Sequence, residues 1–150
     1  MKKILLILIA SLVTNNIYSQ IWDSTNVSSE TVHNLTFLNT NTGYASTNEH
    51  SQSYKIFKTT NKGINWVLIK DFGNNVTSEH NQDLFFLNPN LGWATFFEFS
   101  SPSNISYVYK TTNGGNNWTL VSETNFTTGL VSGNLKFVNE NTGFLYDDIY

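Results

Sequence analysis

The sequence predicts an all-β protein in which a four-stranded antiparallel unit is repeated. One observation is composition: aromatic residues make up 15% of the 150 residues, and Asn, Ser and Thr fill the gaps between short apolar runs. This texture is typical of short strands joined by many turns, because aromatic residues favour strands and small polar residues favour turns. The other two observations are motifs, one present three times and one present twice. Motifs that recur at a near-constant spacing indicate one structural unit used several times.

Residues 1–19 have the features of a signal peptide rather than of the fold. A positive start, Met1-Lys2-Lys3, precedes an apolar run over residues 4–13, and a short polar stretch ends at Ser19. This run is too short to span a bilayer, which needs about 20 apolar residues. We therefore expect cleavage between Ser19 and Gln20 and a mature chain without a membrane anchor. The expected location is secreted, periplasmic or on the cell surface.

The mature chain, residues 20–150, begins with a segment that we expect to form one isolated strand. Ile21-Trp22 precedes the first repeated motif in the way that Trp66 and Trp118 precede the later ones. Residues 20–30 are therefore predicted to be the outer strand of an incomplete unit.

The first motif consists of Phe, an aliphatic residue, Asn, three further residues, Gly and an aromatic residue. It occurs at residues 37–44, 86–93 and 137–144. Each copy predicts a strand, a turn and a second strand, because an Asn side chain can bond the turn backbone and Gly can adopt positive φ. The turn glycines are Gly43, Gly92 and Gly143.

The second motif, Thr-x-Asn-x-Gly-x-x-Trp, occurs at residues 59–66 and 111–118. In each copy a run of aromatic or β-branched residues leads into a polar turn that holds Gly, and Trp opens the next run. The pattern predicts a β-hairpin in which Gly is the turn residue and Trp anchors the next strand by packing. The motif residues are Thr59, Asn61, Gly63 and Trp66 in the first copy, and Thr111, Asn113, Gly115 and Trp118 in the second.

Together the two motifs place four strands in each period. They are predicted at residues 35–38, 44–47, 54–59 and 66–70, then at 84–87, 93–97, 107–111 and 118–121, and finally at 135–138 and 144–146. Four antiparallel strands on a period of about 40 to 50 residues are typical of a β-propeller blade. The sequence therefore predicts an incomplete β-propeller, with blade 1 at residues 31–71, blade 2 at 83–122 and half of blade 3 at 133–150.

Two blades, half of a third and a lone strand are too few to close a ring, since propellers have about four to eight blades. Closure is what protects the sheet edges. We therefore expect the chain to be the N-terminal fragment of a longer protein. The missing blades would come from the same chain or from a partner.

The second motif resembles the Asp-box, the repeat of bacterial neuraminidases, whose pattern is Ser/Thr-x-Asp-x-Gly-x-Thr-Trp. The first Thr, the Gly and the Trp match in both copies, whereas Asn61 and Asn113 replace the Asp, and Asn65 and Asn117 replace the second Thr. Combined with the first motif, the whole mature chain looks like propellers of the photosystem II assembly-factor-like and sortilin-like type. The resemblance implies a propeller in which the box is a structural turn, and it implies little about activity.

Composition excludes several classes of function. The formal net charge is −3 and only 13% of residues are charged, so no basic patch is available for nucleic acid. The absence of Cys excludes disulfides, thiolate metal sites and a Cys nucleophile.

A binding site is expected in the loops at the end of the strands opposite to the motif turns. The loops there differ in length and composition, and they are predicted at residues 49–53, 71–83, 98–105 and 122–133. Candidate binding residues in them are Glu49, His50, Glu79, His80, Phe99 and Asn104. The two Glu-His pairs suggest a metal or acid–base site, but solvated loop residues are the simpler explanation because no paired ligand spacing accompanies them. No catalytic residue, metal or cofactor is predicted.

Three functions from different classes fit these observations. The partner is expected to be an unknown protein or glycan. The first function is a secreted, non-catalytic propeller module for interaction or assembly. The second is a sialidase-like glycoside hydrolase, which would need a cluster of Arg to hold the substrate carboxylate, and this chain has no Arg. The third is a cell-surface adhesive protein that binds carbohydrate. The sequence favours the first, which is not an enzyme.

Overall fold

A computed structural model of the chain describes residue 27 and residues 31–48, 53–73, 83–100, 103–126 and 134–146. Within these ranges all the regular elements are β-strands, and the ten strands form three antiparallel sheets. The prediction of an all-β protein is confirmed.

Each sheet is a meander in which every strand pairs with the next one along the chain, and none of the sheets is closed on itself. Sheet 1 contains β1 (Thr31–Phe37), β2 (Gly43–Asn48), β3 (Tyr54–Thr59) and β4 (Val67–Asp71). Sheet 2 contains β5 (Asp83–Phe86), β6 (Gly92–Ser100), β7 (Ser103–Thr111) and β8 (Thr119–Phe126). Sheet 3 contains β9 (Asn134–Asn139) and β10 (Thr142–Tyr146).

The predicted sheets of four, four and two strands are therefore confirmed. The predicted outer strand at residues 20–30 lies outside the described residues, except for Val27, which is buried.

The structure differs from the predicted loop at residues 98–105. β6 continues to Ser100 and β7 begins at Ser103, so that the backbones of Phe99 and Asn104 are paired between two strands rather than lying in a loop. β8 likewise continues to Phe126, beyond the limit of 122 expected for this unit. Ser and Asn favour turns locally, but pairing across a long hairpin satisfies the backbone groups of both strands and overrides that preference.

Sheets 1 and 2 pack face to face through a largely aromatic core. Sheet 1 contributes Tyr44, Tyr54 and Ile56, and sheet 2 contributes Leu84, Phe86, Ala94 and Phe96. Phe72, which follows β4, fills the space between the sheets, with its ring 5.5 Å from that of Tyr54 and 4.7 Å from that of Tyr109. Because side chains alternate along a strand, each sheet has two packing faces. One is directed towards the sheet before it and the other towards the sheet after it.

The first strands of the three sheets meet at the carboxylate of Asp83. Asn34 Nδ2, in β1, donates to Oδ1 of Asp83 over 2.5 Å, and the backbone N of Leu135, in β9, donates to Oδ2 over 2.6 Å. The backbone N of Leu84 also donates to Oδ1, over 2.8 Å. Asp83 in β5 therefore connects all three sheets along the edge formed by their first strands, which we call the inner edge.

Candidate functional site

The turns of the first motif are held by their leading Asn. Oδ1 of Asn39 accepts hydrogen bonds from the backbone N of Asn41 and of Thr42, both over 2.9 Å. The equivalent bonds from Asn90 and Leu91 to Asn88 measure 2.9 and 3.0 Å, and the bond from Asn141 to Asn139 measures 2.9 Å. These side chains are occupied by the backbone of their own turns, as the sequence predicts.

The glycines of the first motif are required for a reason that the sequence analysis missed. Gly43, Gly92 and Gly143 are not among the residues with positive φ, so the prediction of a left-handed turn residue was wrong. Instead, the Phe that begins each motif lies across the hairpin with its ring over the glycine. A Cβ added at Gly43, Gly92 or Gly143 would lie 2.8, 2.5 or 2.5 Å from that ring. Close approach of the ring, rather than backbone conformation, explains the Phe–Gly pairing.

The turn of the second motif is held by hydrogen bonds between its own residues. Thr59 Oγ1 donates to Asn61 Oδ1 over 2.9 Å and accepts from the backbone N of Gly63 over 3.0 Å. Asn61 Oδ1 also accepts from the backbone N of Asn65 over 2.9 Å. The corresponding bonds among Thr111, Asn113, Gly115 and Asn117 measure 3.1, 2.9 and 2.9 Å. The side-chain oxygen of the motif Asn is thus used within the turn.

The two Trp residues of this motif pack against aromatic rings. Trp66 makes an edge contact with Phe37, with ring centroids 6.0 Å apart. Trp118 makes edge contacts with Phe72 and Phe86, and its Nε1 donates to the carbonyl oxygen of Gly115 over 3.0 Å. Both side chains are half-buried.

Each turn of the second motif contains two consecutive left-handed residues. They are Gly114 and Gly115 in sheet 2, with φ of 69° and 92°, but Lys62 and Gly63 in sheet 1, with φ of 65° and 85°. A left-handed residue other than Gly brings its Cβ close to the following carbonyl oxygen, so Lys62 is strained where Gly114 is not.

Lys62→Gly is therefore expected to raise the free energy of unfolding by about 0.5 to 1 kcal/mol, which is the strain removed less the entropy that Gly adds to the unfolded chain. Urea denaturation followed by Trp fluorescence measures the change. Thr60→Gly is the matched control at an exposed neighbour without positive φ. It should lower stability, and a gain of equal size in both variants would contradict the explanation.

The two kinds of turn lie at the same end of the strands, and we call this side of the molecule the turn face. The backbone N of Lys62 donates to the carbonyl oxygen of Asn41 over 3.0 Å, and the backbone N of Gly114 donates to that of Asn90 over 2.8 Å. Each bond links the two motif turns of a single sheet. The turn face is therefore held together by its own backbone and motif side chains.

Neighbouring sheets are joined by an aromatic stack that occurs twice. The ring of Tyr44, in sheet 1, lies on that of Phe86, in sheet 2, with centroids 3.6 Å apart and planes 11° from parallel. The ring of Trp93, in sheet 2, lies on that of Phe137, in sheet 3, with values of 3.6 Å and 8°. The motif aromatic of one sheet thus covers the motif Phe of the next. We call this arrangement the joint.

A Lys accompanies each joint. Lys58 Nζ lies 5.3 Å from the ring centre of Tyr44 and donates to the carbonyl oxygen of Gly114 over 3.1 Å. Lys110 Nζ lies 5.4 Å from the ring centre of Trp93 and donates to the carbonyl oxygen of Glu140 over 3.4 Å. Both cations connect their own sheet to a turn of the next one, and both sit where the negative face of a ring attracts positive charge.

The sequence analysis placed its candidate binding residues in the loops at the opposite end of the strands, a region that the structure describes only in part. Glu49, His50, Glu79 and His80 lie outside the described residues. In the ranges that the structure covers, no group of three or more His, Cys, Asp and Glu side chains is placed to hold a metal ion. No helix in those ranges is long and apolar enough to cross a membrane.

Asp71, the last residue of β4, is one of the described ionisable groups at that end of the strands. Ser53 Oγ donates to Oδ1 of Asp71, and the backbone N of Gly73 donates to the same oxygen over 2.7 Å. Burial, the largest single effect, opposes the charged carboxylate, but it is outweighed by these bonds and by the positive charges of Lys55 and Lys70. The pKa of Asp71 is therefore lowered from its ordinary value.

Asp71→Asn is expected to remove a stabilising contribution that exists at neutral pH and vanishes in acid. Because the folded pKa is depressed, the contribution is complete above the ordinary value of 3.8 and is lost as the pH falls through the folded value. Thermal unfolding of both proteins from about pH 7 to about pH 2 should give stabilities that converge in acid. A difference that widens on acidification would show that the sign is wrong.

Sheet 3 ends the described structure with an incomplete joint. Phe144 occupies the position of Tyr44 and Trp93, but its side chain is 58% exposed, whereas those of Tyr44 and Trp93 are 0% and 2% exposed. Val138 and Tyr146, on the same side of the sheet by strand alternation, are also exposed. A cavity of about 390 Å³ lies between sheets 2 and 3 next to β10, and its lining includes Val108, Val121, Leu135 and Leu145.

The sequence analysis did not identify this open end as a candidate site. The available signal was that the third period supplies two strands where the others supply four.

Comparisons of the chain with protein-family models, with curated proteins and with solved structures find no match.

Proposed function

We propose that this chain is an exported, non-catalytic repeat module of the β-propeller type, which binds or assembles other proteins. The observation that carries the proposal is the joint, formed twice with nearly the same ring separation and angle. A contact that recurs between successive sheets is what a propeller needs, because each blade must meet the next through the same pair of faces.

The inner edge of the sheets supports the same architecture. Asp83 bonds to the first strand of the sheet before it and to that of the sheet after it. In a propeller the first strand of every blade lines the central axis, so bonds between first strands are expected there. The resemblance of the second motif to the Asp-box agrees with this arrangement.

The chemistry of the described residues supports binding rather than catalysis. The Thr and Asn side chains of the motifs bond to their own turns, and Lys58 and Lys110 bond to carbonyl oxygens of the next sheet. General acid–base catalysis needs a titratable group within hydrogen-bond reach of a substrate. The Thr and Asn side chains of the motifs are not titratable groups of that kind.

Two assays separate this function from its alternatives. A fluorogenic sialoside should not be hydrolysed above the rate in buffer, since a sialidase holds the substrate carboxylate with Arg and this chain contains none. A glycan array should likewise show no specific signal. Turnover of the sialoside would replace the proposal with a glycosidase, and saturable binding of one glycan class would replace it with a carbohydrate-binding adhesin.

Export has its own test. The tagged full chain, produced in a bacterial host, should be recovered from the periplasm or the medium with Gln20 as its first residue, as determined by mass spectrometry. Recovery of the intact chain from the cytoplasm would contradict the expected signal cleavage.

A further inference from the structure

We propose that Asn113 is a site of spontaneous covalent modification. Its side-chain amide condenses with the backbone nitrogen of Gly114 and is then hydrolysed to a carboxylate, and opening of the second-motif turn in sheet 2 controls the rate. The reaction needs no partner, so it does not depend on the proposed function. Three observations support it: the dipeptide itself, the packing that requires its Gly, and the hydrogen bonds on the two reacting groups.

The reaction requires an Asn whose following backbone nitrogen can reach the side-chain carbonyl carbon. Among the 150 residues, Asn113 is the one Asn that precedes Gly. Because Gly has no Cβ, its nitrogen approaches Cγ of the Asn with the least steric hindrance, and Asn is already a thermolabile residue. Asn113 is exposed, so water and base can reach it. In sheet 1 the same position is Asn61-Lys62, where a long side chain hinders the approach.

The steps balance without an oxidant or a reductant. A base takes the proton of the Gly114 amide, and this nitrogen bonds to Cγ of Asn113 while the Cγ–Nδ2 bond breaks and ammonia leaves with a proton from solvent. The product is a cyclic imide. Water then adds to one of its two carbonyl carbons and breaks the C–N bond there. Cleavage at Cγ gives Asp, and cleavage at the backbone carbonyl carbon gives isoaspartate.

Packing at the joint between sheets 1 and 2 requires Gly at position 114. Gly114 is buried and has a φ of 69°, and a Cβ added to it would lie 2.7 Å from the carbonyl oxygen of Pro89 and 3.0 Å from Nζ of Lys58. The Pro89 oxygen is itself held in place, because it accepts a hydrogen bond from the hydroxyl of Tyr44 over 3.2 Å. The fold therefore keeps next to Asn113 the residue that makes it reactive.

The closed turn holds both reacting groups away from each other. The backbone N of Gly114 donates to the carbonyl oxygen of Asn90 over 2.8 Å. Oδ1 of Asn113 accepts from Oγ1 of Thr111 over 3.1 Å and from the backbone N of Asn117 over 2.9 Å. The attack needs a Gly114 nitrogen released from Asn90 and a rotated Asn113 side chain. Local opening of the turn must therefore precede the reaction, and its free energy sets the rate in the folded protein.

The closed turn also suits the Asp product. The two bonds to Asn113 both end on its oxygen, and a carboxylate oxygen accepts such bonds more strongly because it is charged. Lys58 Nζ, which bonds to the carbonyl oxygen of Gly114, supplies positive charge to this turn. Isoaspartate instead lengthens the backbone by one carbon and misaligns the bond from Gly114 to Asn90. The Asp product therefore remains in the folded sheet and adds a negative charge to the turn face.

The test incubates the full chain in mildly alkaline buffer, with and without enough urea to unfold it. Mass spectrometry with electron-transfer fragmentation then quantifies Asn, Asp and isoaspartate at each position. In urea, Asn113 should be modified before the other Asn residues. In native buffer it should be modified at least about tenfold more slowly, because the turn is closed most of the time. Lys62→Gly creates a second Asn-Gly pair and should make Asn61 react in urea at a rate similar to that of Asn113.

A variant that loosens the turn tests its control of the rate. Thr111→Val removes the hydroxyl that bonds to Asn113 and to the backbone N of Gly115. In native buffer it should speed the modification of Asn113 and the hydrogen exchange of the Gly114 amide by the same factor, since both need that N–H released. Thr59→Val, the matched change in sheet 1, should leave the rate at Asn113 unaltered. In urea both variants should react like the unsubstituted chain.

A second pair of variants tests the product. Asn113→Asp reproduces it, and its Tm at neutral pH should be at least that of the unsubstituted chain. Asn113→Ala removes the acceptor of the bonds from Thr111 and Asn117, and its Tm should be lower.

Any of four results would overturn the proposal. The first is an Asn113 that stays intact in urea while other Asn residues react. The second is an equal rate in native buffer and in urea, which would mean that the turn does not control the reaction. The third is a Thr111→Val variant in which exchange of the Gly114 amide quickens and the modification does not. The fourth is an Asn113→Asp variant that melts as low as Asn113→Ala.

Discussion

Gly92→Ala is expected to lower the free energy of unfolding by about 2 to 3 kcal/mol, although it adds a single methyl group. The new Cβ would lie 2.5 Å from the ring of Phe86. That ring cannot move away, because it is 5% exposed and Tyr44 covers it at a centroid distance of 3.6 Å. The substitution therefore overpacks a filled joint and displaces the stack between sheets 1 and 2.

Gly43→Ala is the matched control, since it makes the same change at the same place in the motif. Its Cβ would lie 2.8 Å from the ring of Phe37, but that side chain is 44% exposed and can rotate into solvent. The expected loss is below about 1 kcal/mol. Chemical denaturation of both variants with Trp fluorescence gives the comparison. Equal losses would mean that the local geometry of the hairpin, rather than packing in the joint, is what requires Gly at this position.

Asp83→Asn is expected to cost about 2 to 3 kcal/mol despite its nearly unchanged shape. Both carboxylate oxygens of Asp83 accept hydrogen bonds, Oδ1 from Asn34 and Leu84 and Oδ2 from Leu135. An amide has one oxygen, so its NH₂ group must face one of these donors. Leu135 is 3% exposed, and a donor left unpaired there loses its solvation without compensation.

The location of the effect distinguishes this prediction from general destabilisation. Hydrogen exchange should quicken at the amide of Leu135 and across β9 and β10 more than in sheet 1, because the bond to Leu135 links sheet 3 to sheet 2. Asn34→Ala, which removes one donor and leaves the carboxylate with two, is the control, with an expected loss of about 1 kcal/mol. If the control costs as much as Asp83→Asn, the carboxylate is not the element that joins the three sheets.

Asp83 also indicates why the repeats are not identical. The equivalent positions in the other sheets are Asn34 and Asn134, and Asp83 is the member that receives donors from both sides. A carboxylate has two equivalent acceptor oxygens for these donors, whereas the amide of Asn34 donates one hydrogen bond to its neighbour. This difference in hydrogen bonding accounts for Asp at one of the three positions.

Several features could be predicted from the sequence because they depend on residues close together in the chain. The hairpin turns follow from Asn and Gly at fixed offsets, and the side chains of Asn39, Asn88 and Asn139 bond their turns as expected. The number of strands and their pairing order follow from apolar runs between such turns. Errors arose where pairing across the hairpin extended β6 and β7 through Phe99 and Asn104.

The candidate site could not be predicted in the same way. The role of Gly92 depends on Phe86 and on Tyr44, which lies in the preceding repeat. The cavity beside β10 depends on Val108 and Val121 of sheet 2 as well as on Leu145 of sheet 3. These residues are far apart in the chain, and a local pattern carries no information about which of them meet.

By itself, then, the amino-acid sequence determined that the protein is all-β, with hairpins that form successive antiparallel sheets, because turn chemistry and strand periodicity act over a few neighbouring residues. Only the tertiary structure decided which faces meet, which aromatic ring covers which Phe and that one carboxylate joins three strands. Those features arise from packing between repeats, where the free energy depends on contacts between side chains that are far apart in the sequence.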